Sequence, residues 1–322
     1  MRPGRHFPPR RATAALLLVA CGAIAGRAYA QAAAPPVASS PAPTADGRAL
    51  LATIEALTGP GMNGRATGSD GAALARRWIE ARLTALGLRP VGAAYASPFA
   101  FTGKDGTART GTNLLARCDG RQADAPYLVV SAHYDHLGNR NGRTYHGADD
   151  NASGVAMLLH VAEHCVKRPY AHPVLLAFFD AEEQGLQGAK AFVQEPPVAR
   201  DRLALDVNFD MVSRSDRREI FVAGPGRWPL LTPLLAPLTQ DAPVAVRFGH
   251  DTGGGTNDWT SQSDHGAFHD AGIPFVYFGV EDHADYHQPT DTADKVRPDF
   301  LAGVATVVMR ALDALDRAAA FR

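Results

Sequence analysis

Cysteine is scarce. Cys21, Cys118 and Cys165 are the three in 322 residues, too few for a disulfide framework and without the C-x-x-C spacing of a thiolate metal site. Cys118 and Cys165 can form one bridge or stay two free thiols that pack as small hydrophobes. Basic excess is missing too: 32 Lys and Arg stand against 33 Asp and Glu, a formal charge of -1. A chain without surplus positive charge has nothing to gather along a phosphate backbone, so nucleic acid is not an expected partner. The apolar run over residues 14–25 is too short, and its side chains too small, to span a membrane. No G-x-S-x-G elbow occurs, and Gly253-Gly254-Gly255 lacks the lysine that a phosphate loop requires after its glycines. No internal repeat is present.

What is present begins with an export pattern. Arg2, Arg5, Arg10 and Arg11 precede the apolar run, and Ala28-Tyr29-Ala30 offers small residues for cleavage before Gln31. Residues 1–30 therefore read as an export signal, with the mature chain periplasmic or extracellular. Leu18-Val19-Ala20-Cys21 also resembles a lipobox, which would anchor the chain through a lipid on Cys21. Residues 31–48, rich in Ala, Pro and Ser, read as a tether that packs no core. The composition, 46% hydrophobic and 20% charged, suits one large domain over residues 49–322.

Within that domain Leu74, Trp78, Ile79, Leu83 and Leu86 recur at helical spacing over 69–87, with Gly87 as a stop. Aromatics, threonines and glycines over 95–116 suit paired strands. Short apolar runs then alternate with helical segments. The strands fall at 128–130, 174–179, 203–211, 220–223, 244–248 and 274–278, and the helices at 156–165, 187–194 and 298–319. This alternation predicts an α/β three-layer sandwich, a central mixed, mainly parallel sheet flanked by helices.

Polar chemistry gathers where those strands end. The 12 histidines are the one skew in composition, and several sit beside acidic residues. His133 and Asp135 follow the first of these strands, Glu182 and Glu183 the second, and Asp210 closes the third. In parallel strands such positions collect at the carboxyl edge of the sheet, where open α/β folds bind ligands. Asp149 and Asp150 lie at a strand-to-helix turn, and His287 sits before a proline turn in the acidic stretch from Asp282 to Asp291. Carboxylates crowded together raise one another's pKa unless a cation holds them. Two imidazoles and three carboxylates, one of them shared, give each of two ions three protein ligands and leave positions open for water. The mixed nitrogen and oxygen set suits zinc better than magnesium, with cobalt or manganese as substitutes.

From about Gly64 onward the motifs H-x-D, G-A-D-D-N-A-S-G, D-A-E-E-Q-G, N-F-D-M and D-Y-H-Q-P-T-D-T follow in order. Together they resemble the exported bacterial two-zinc aminopeptidases, relatives of glutamate carboxypeptidase and glutaminyl cyclase. The resemblance implies the zinc-exopeptidase form of the sandwich. It also implies that His133 and Asp210 hold one zinc, Glu183 and His287 the other, and that Asp150 bridges both. Asp150 is chosen over Asp149 by the family interval, in which the bridging aspartate precedes two residues and then Ser-Gly. A cis peptide between Asp150 and Asn151 is implied as well. Glu182 would be the general base, Tyr286 the donor to the oxyanion, and Asp135 the partner of His133. The implied activity is removal of N-terminal residues from peptides by metal-activated water. The rivals are a single-zinc glutaminyl cyclase, a carboxypeptidase or dipeptidase, and a silent binding module that keeps the fold but loses ligands.

Other residues carry weaker signals. Ser263-Asp264-His265 and Phe268, with Asp258 and Trp259 close by, resemble the family's segment beside the specificity pocket, or simply pack a loop. Arg214, Arg217 and Arg218 read as a solvated charged run rather than a grip on a substrate carboxylate. His136, His146, His160, His164, His172, His250, His269 and His283 receive no ligand role, because the pattern is already filled.

Overall fold

The computed structural model describes residues 45–253, 257–318 and 321. The expected export signal, the lipobox and most of the expected tether lie outside the described residues. Helix α1 (Ala45–Thr58) starts inside the segment read as tether. The reason is its apolar stripe: Leu50, Ile54 and Leu57 are spaced to share one face, and burying that face draws the preceding turn into the helix.

The chain continues through α2 (Asp70–Ala85), β1 (Arg89–Pro90), β2 (Ala96–Thr102), β3 (Ala108–Cys118) and β4 (Tyr127–His133). A small hairpin follows, β5 (Gly138–Arg140) and β6 (Arg143–Tyr145), then α3 (Gly154–Lys167), β7 (Val174–Phe179), α4 (Gln187–Gln194) and β8 (Leu203–Phe209). The remainder is β9 (Glu219–Ala223), α5 (Thr232–Leu235), β10 (Ala245–Phe248), α6 (His265–Asp270), β11 (Phe275–Gly279) and α7 (Pro298–Asp316). The Ser69 hydroxyl accepts the Ala72 N–H and starts α2, and Gly87, at φ 71°, lets the chain turn out of it.

The main sheet has nine strands in the order β1-β3-β7-β4-β8-β11-β9-β10, with β2 also on β3. Its centre, β7-β4-β8-β11, is parallel, and the flanking pairings β3-β7 and β11-β9 are antiparallel. Alternate side chains divide between two cores. Leu128, Val130 and Ala132 face the side covered by α1, α2, α3 and α7, whereas Val129 joins Leu175 and Phe179 against Phe192 of α4 and Phe268 of α6. Strands buried on both faces are apolar throughout, which is why β4 and β7 read as continuous runs.

This topology makes the crevice. From β4 the chain crosses through α3 on one face to β7, then returns through α4 on the other face to β8, on the far side of β4. The connections part in opposite directions above β4 and β8, leaving an opening at their carboxyl ends. Cys118 at the end of β3 and Cys165 in the last turn of α3 are joined as a disulfide, with their Cα atoms 6.3 Å apart. Among the described residues no helix is long and apolar enough to cross a membrane.

Candidate metal centre and active site

Each candidate ligand is delivered by the end of a strand or the loop that follows. His133 closes β4 with its side chain 1% exposed. Its Nδ1 faces the Asp135 carbonyl at 3.1 Å, which aims Nε2 at Asp150 Oδ1 (3.5 Å) and Asp210 Oδ1 (3.4 Å). Asp210 follows β8 directly, and its N–H bonds the Phe278 carbonyl of β11. Asp150 lies in the turn before α3, and the Asp150–Asn151 peptide is cis. The Asn151 side chain ties this turn down, donating to the Phe209 carbonyl and accepting from the Gly154 N–H. The second oxygen of Asp150 faces the other way, with Oδ2 3.1 Å from His287 Nε2 and 3.7 Å from His136 Nδ1. Glu183, after β7, presents Oε2 to His287 at 3.3 Å and Oε1 to His136 at 2.8 Å.

Asp150 thus stands between two sets of donors. One atom each from His133, Asp150 and Asp210 lie within 4.8 Å of one another, and so do one atom each from His136, Asp150 and Glu183. Among the described residues, His133 Nε2, Asp210 Oδ1 and Glu183 Oε1 are buried without a hydrogen-bond partner. Buried polar atoms are rarely left so, and several converging on one space fit a bound cation. Imidazole nitrogen mixed with carboxylate oxygen is a donor set that suits zinc.

The electrostatics point the same way. Burial, then the Glu183 charge, raise the Asp150 carboxyl above its ordinary range. For His287 burial works downward, but its bonds to Asp150 and Glu183 outweigh that and push the imidazole up to about 10. Burial also holds Glu182 well above the usual carboxylate range, with Asp210, Asp264 and Glu183 adding to the shift against His133. Glu183 goes the other way: burial would raise it, but its contacts with His136 and His287 pull it well below the ordinary range, so burial and crowding favour protons on Asp150 and Glu182.

The support beneath these side chains was only partly visible in the sequence. The Asp135 carboxylate does more than attend His133, from which Oδ1 is 3.6 Å away. It accepts the Glu182 N–H at 3.1 Å and the Glu183 N–H at 3.4 Å, and so fixes the backbone of both acids. Asp149 is fully committed elsewhere, to the Ser213 N–H and hydroxyl and to His283 Nε2 at 3.0 Å. That accounts for His283 as well. The Asp291 carboxylate receives the N–H groups of Asp149 and Asp150.

Arg65 belongs to none of the sequence motifs. It is fully buried, and it donates to the carbonyls of Leu57, Tyr134, His146 and Gly147 at 2.8–2.9 Å. It therefore ties the last turn of α1 to the end of β4 and to the loop leading to Asp150. Burial lowers its guanidinium to about 10, against the pull of Asp150, Asp291, Asp135 and Glu183. Lysine has no fork of donors with which to reach three segments. Arg65→Lys should lose about 2–4 kcal/mol of stability in urea unfolding, since buried carbonyls are left unmatched.

The loop carrying Tyr286 and His287 is held by Asp285, which accepts from Arg214 Nη1 at 2.7 Å and Lys295 Nζ at 2.5 Å. Arg214 is therefore neither solvated nor turned to a substrate, and Arg218 bonds Asp299. The bonds from Lys295 and Thr290, then Arg214, hold the Asp285 carboxyl well below its ordinary range. A depressed folded-state pKa means stability that is present above the unfolded value near pH 4 and lost as pH falls below it. Asp285→Asn should lower Tm by roughly 3–6 °C at pH 7. Thermal scans at decreasing pH should find the two proteins converging below about pH 4.

Glu182, Glu183, Asp150, Asp210, Tyr286 and His287 all line one cleft of about 290 Å³. The Tyr286 ring stacks on His287, with centroids 4.0 Å apart. Of the segment resembling a pocket wall, Trp259 lines the cleft and stacks on His250 at 3.8 Å. Phe268 is core, His265 bonds the Trp259 carbonyl, and Asp258 bonds Arg227. In the sequence five ligands complete the pattern without His136, yet the chain turns after His133 and buries it beside Glu183.

Comparison with known proteins agrees with this geometry. The model of Peptidase family M28 matches residues 113–312. The chain belongs to that family. It is 38% identical over 86 residues to a vacuolar membrane protease of Schizophyllum commune, a match spanning 27% of this chain and 9% of that protein. In fold it is similar to an aminopeptidase from Aneurinibacillus sp. strain AM-1, with TM-score 0.68 and 18% identity, covering 83% of this chain and 93% of the other. It is also similar to the Porphyromonas gingivalis glutaminyl cyclase, with TM-score 0.66 and 20% identity, covering 83% and 97%. Membership of Peptidase family M28 and the two histidine–carboxylate donor sets agree with one another.

Proposed function

We propose that this M28 peptidase is a two-zinc aminopeptidase, exported from the cell, that removes N-terminal residues from peptides. The observation that carries the reading is the Asp150 carboxylate turned both ways, with Oδ1 toward His133 and Oδ2 toward His287. Asp210 completes the first side and Glu183 the second. A single-ion cyclase needs one such set, so the second favours the hydrolase.

Zinc bound in these sets would polarise the scissile carbonyl and lower the pKa of a water. Glu182, beside Glu183 and facing the cleft, takes a proton from the attacking water and delivers it to the leaving nitrogen. A carboxyl held above its ordinary range by burial is the stronger proton acceptor, which suits that two-way transfer. Asp135 holds the Glu182 backbone in place for it. The Tyr286 hydroxyl donates to the developing oxyanion.

The choice of peptide end follows from charge. Among the described residues, Asp282 lines the cleft exposed and without an ion-pair partner, and Lys104 is the one Lys or Arg in the lining. An acidic rim favours the free α-ammonium of an N-terminus over a C-terminal carboxylate. The modest volume suits one residue beyond the scissile bond rather than an extended chain. The Cys118–Cys165 bridge supports an oxidising compartment, in keeping with the basic and apolar N-terminal pattern.

A panel of aminoacyl chromogenic substrates tests the reading. Free aminoacyl substrates should be hydrolysed, their N-acetyl counterparts should not, and chelation should abolish activity until zinc is returned. Cleavage of N-blocked peptides at a free C-terminus, or cyclisation of N-terminal glutamine without hydrolysis, would contradict it.

A further inference from the structure

We infer that His136 is an additional ligand in the second donor set, so that one ion is held by His136, Asp150, Glu183 and His287 and the other by His133, Asp150 and Asp210. The inference rests on the two-metal reading and deepens it.

The His136 ring is buried, and among the described residues neither of its nitrogens has a hydrogen-bond partner. An imidazole offers a donor and an acceptor, and leaving both unmatched in the interior is costly. Nδ1 lies 2.8 Å from Glu183 Oε1, an atom that also lacks a hydrogen bond. With the ring protonated the two form an ion pair; with the ring neutral both turn a lone pair toward the space they share with Asp150, as donors to one cation would. Nδ1 also lies 3.7 Å from Asp150 Oδ2 and belongs to the donor group formed by Asp150 and Glu183.

The position is built rather than incidental. Gly147, at φ 60°, lies flat against the ring, and a Cβ there would come within 2.6 Å of His136 Cγ and Cδ2. The His136 N–H meets the carbonyl of Arg65, the residue that braces the same loops. His136 and His287 flank the pair of carboxylates, with ring centroids 6.0 Å apart and planes inclined at 57°. An outer acceptor usually steers a metal-bound imidazole, but Nε2 has none among the described residues, so packing on Gly147 takes that part. Four protein ligands close a zinc sphere and three leave it open. The two ions would then differ, one anchored by the protein alone and one open to water at the His133 and Asp210 side.

The test is chelator titration of the zinc-loaded full chain, read as zinc release, together with the visible spectrum after cobalt exchange. The wild type should release two ions. His136→Ala should release one of them at chelator concentrations at least roughly tenfold lower, leave the other unchanged, and alter the cobalt absorption. Equal release curves and an unchanged cobalt spectrum would overturn the assignment. If the alanine variant does not fold, His136→Asn gives the same comparison. Should the wild type hold a single ion, the two-zinc reading fails, and the variant still decides the role of His136: loss of that ion supports it and retention overturns it.

Discussion

Glu182→Gln should keep its metal and its melting temperature while kcat falls by about 10²–10⁴, the usual contribution of a positioned acid–base group. The substitution removes only the ability to carry a proton. Residue 182 still offers its N–H to Asp135, and its carbonyl still accepts from Gly185 and Leu186, so the turn that presents Glu183 is untouched. Bound substrate meets the same walls, so KM should change much less than kcat. Steady-state kinetics with metal analysis on the same sample separates the outcomes. A kcat within a factor of about ten of wild type would mean that another group moves the proton.

The second large effect is expected at Asp150, where alanine should cost both ions rather than one. Its oxygens face separate partners, His133 on one side and His287 with His136 on the other, so one truncation removes a ligand from each set. What remains is Glu183, Asp210 and three imidazoles, with His287 partly exposed and less to organise the group. Activity should fall below detection, and metal content should drop to well under one ion per chain. The backbone has reason to survive, because the N–H of residue 150 is held by Asp291 and the turn by Asn151. A variant that retained both ions would remove Asp150 from the shared position. One that retained a single ion would confine it to one set.

These predictions start from features that were readable along the chain to different degrees. The strand ends were legible because β4, β7 and β8 are buried on both faces. They therefore read as mainly apolar runs, unbroken in β7 and interrupted by Ser131 in β4 and by Asp206 and Asn208 in β8, with the acids and histidine that the fold brings together at or just past their ends. Arg65 was not legible. Its partners are backbone carbonyls from α1, from the end of β4 and from the loop before Asp150, and carbonyls carry no residue-type signature. The start of α1 was missed for a local reason, since its first turn is drawn from the Ala-rich end of a segment that otherwise resembles a tether. His136 is the instructive case. Once five ligands completed a known pattern, a sixth donor three residues after His133 looked redundant, and only its burial beside Glu183 reopens the question. The second duty of Asp135, holding two backbone N–H groups after β7, likewise depends on a pairing of β4 with β7 that spacing alone does not reveal.

The most direct measurement is anomalous diffraction at the zinc edge from a crystal of the zinc-loaded protein. Two peaks about 3.5–4 Å apart should appear on either side of the Asp150 carboxylate, one against His133 and Asp210 and the other against Glu183 and His287. A single peak, or peaks away from Asp150, would contradict the account.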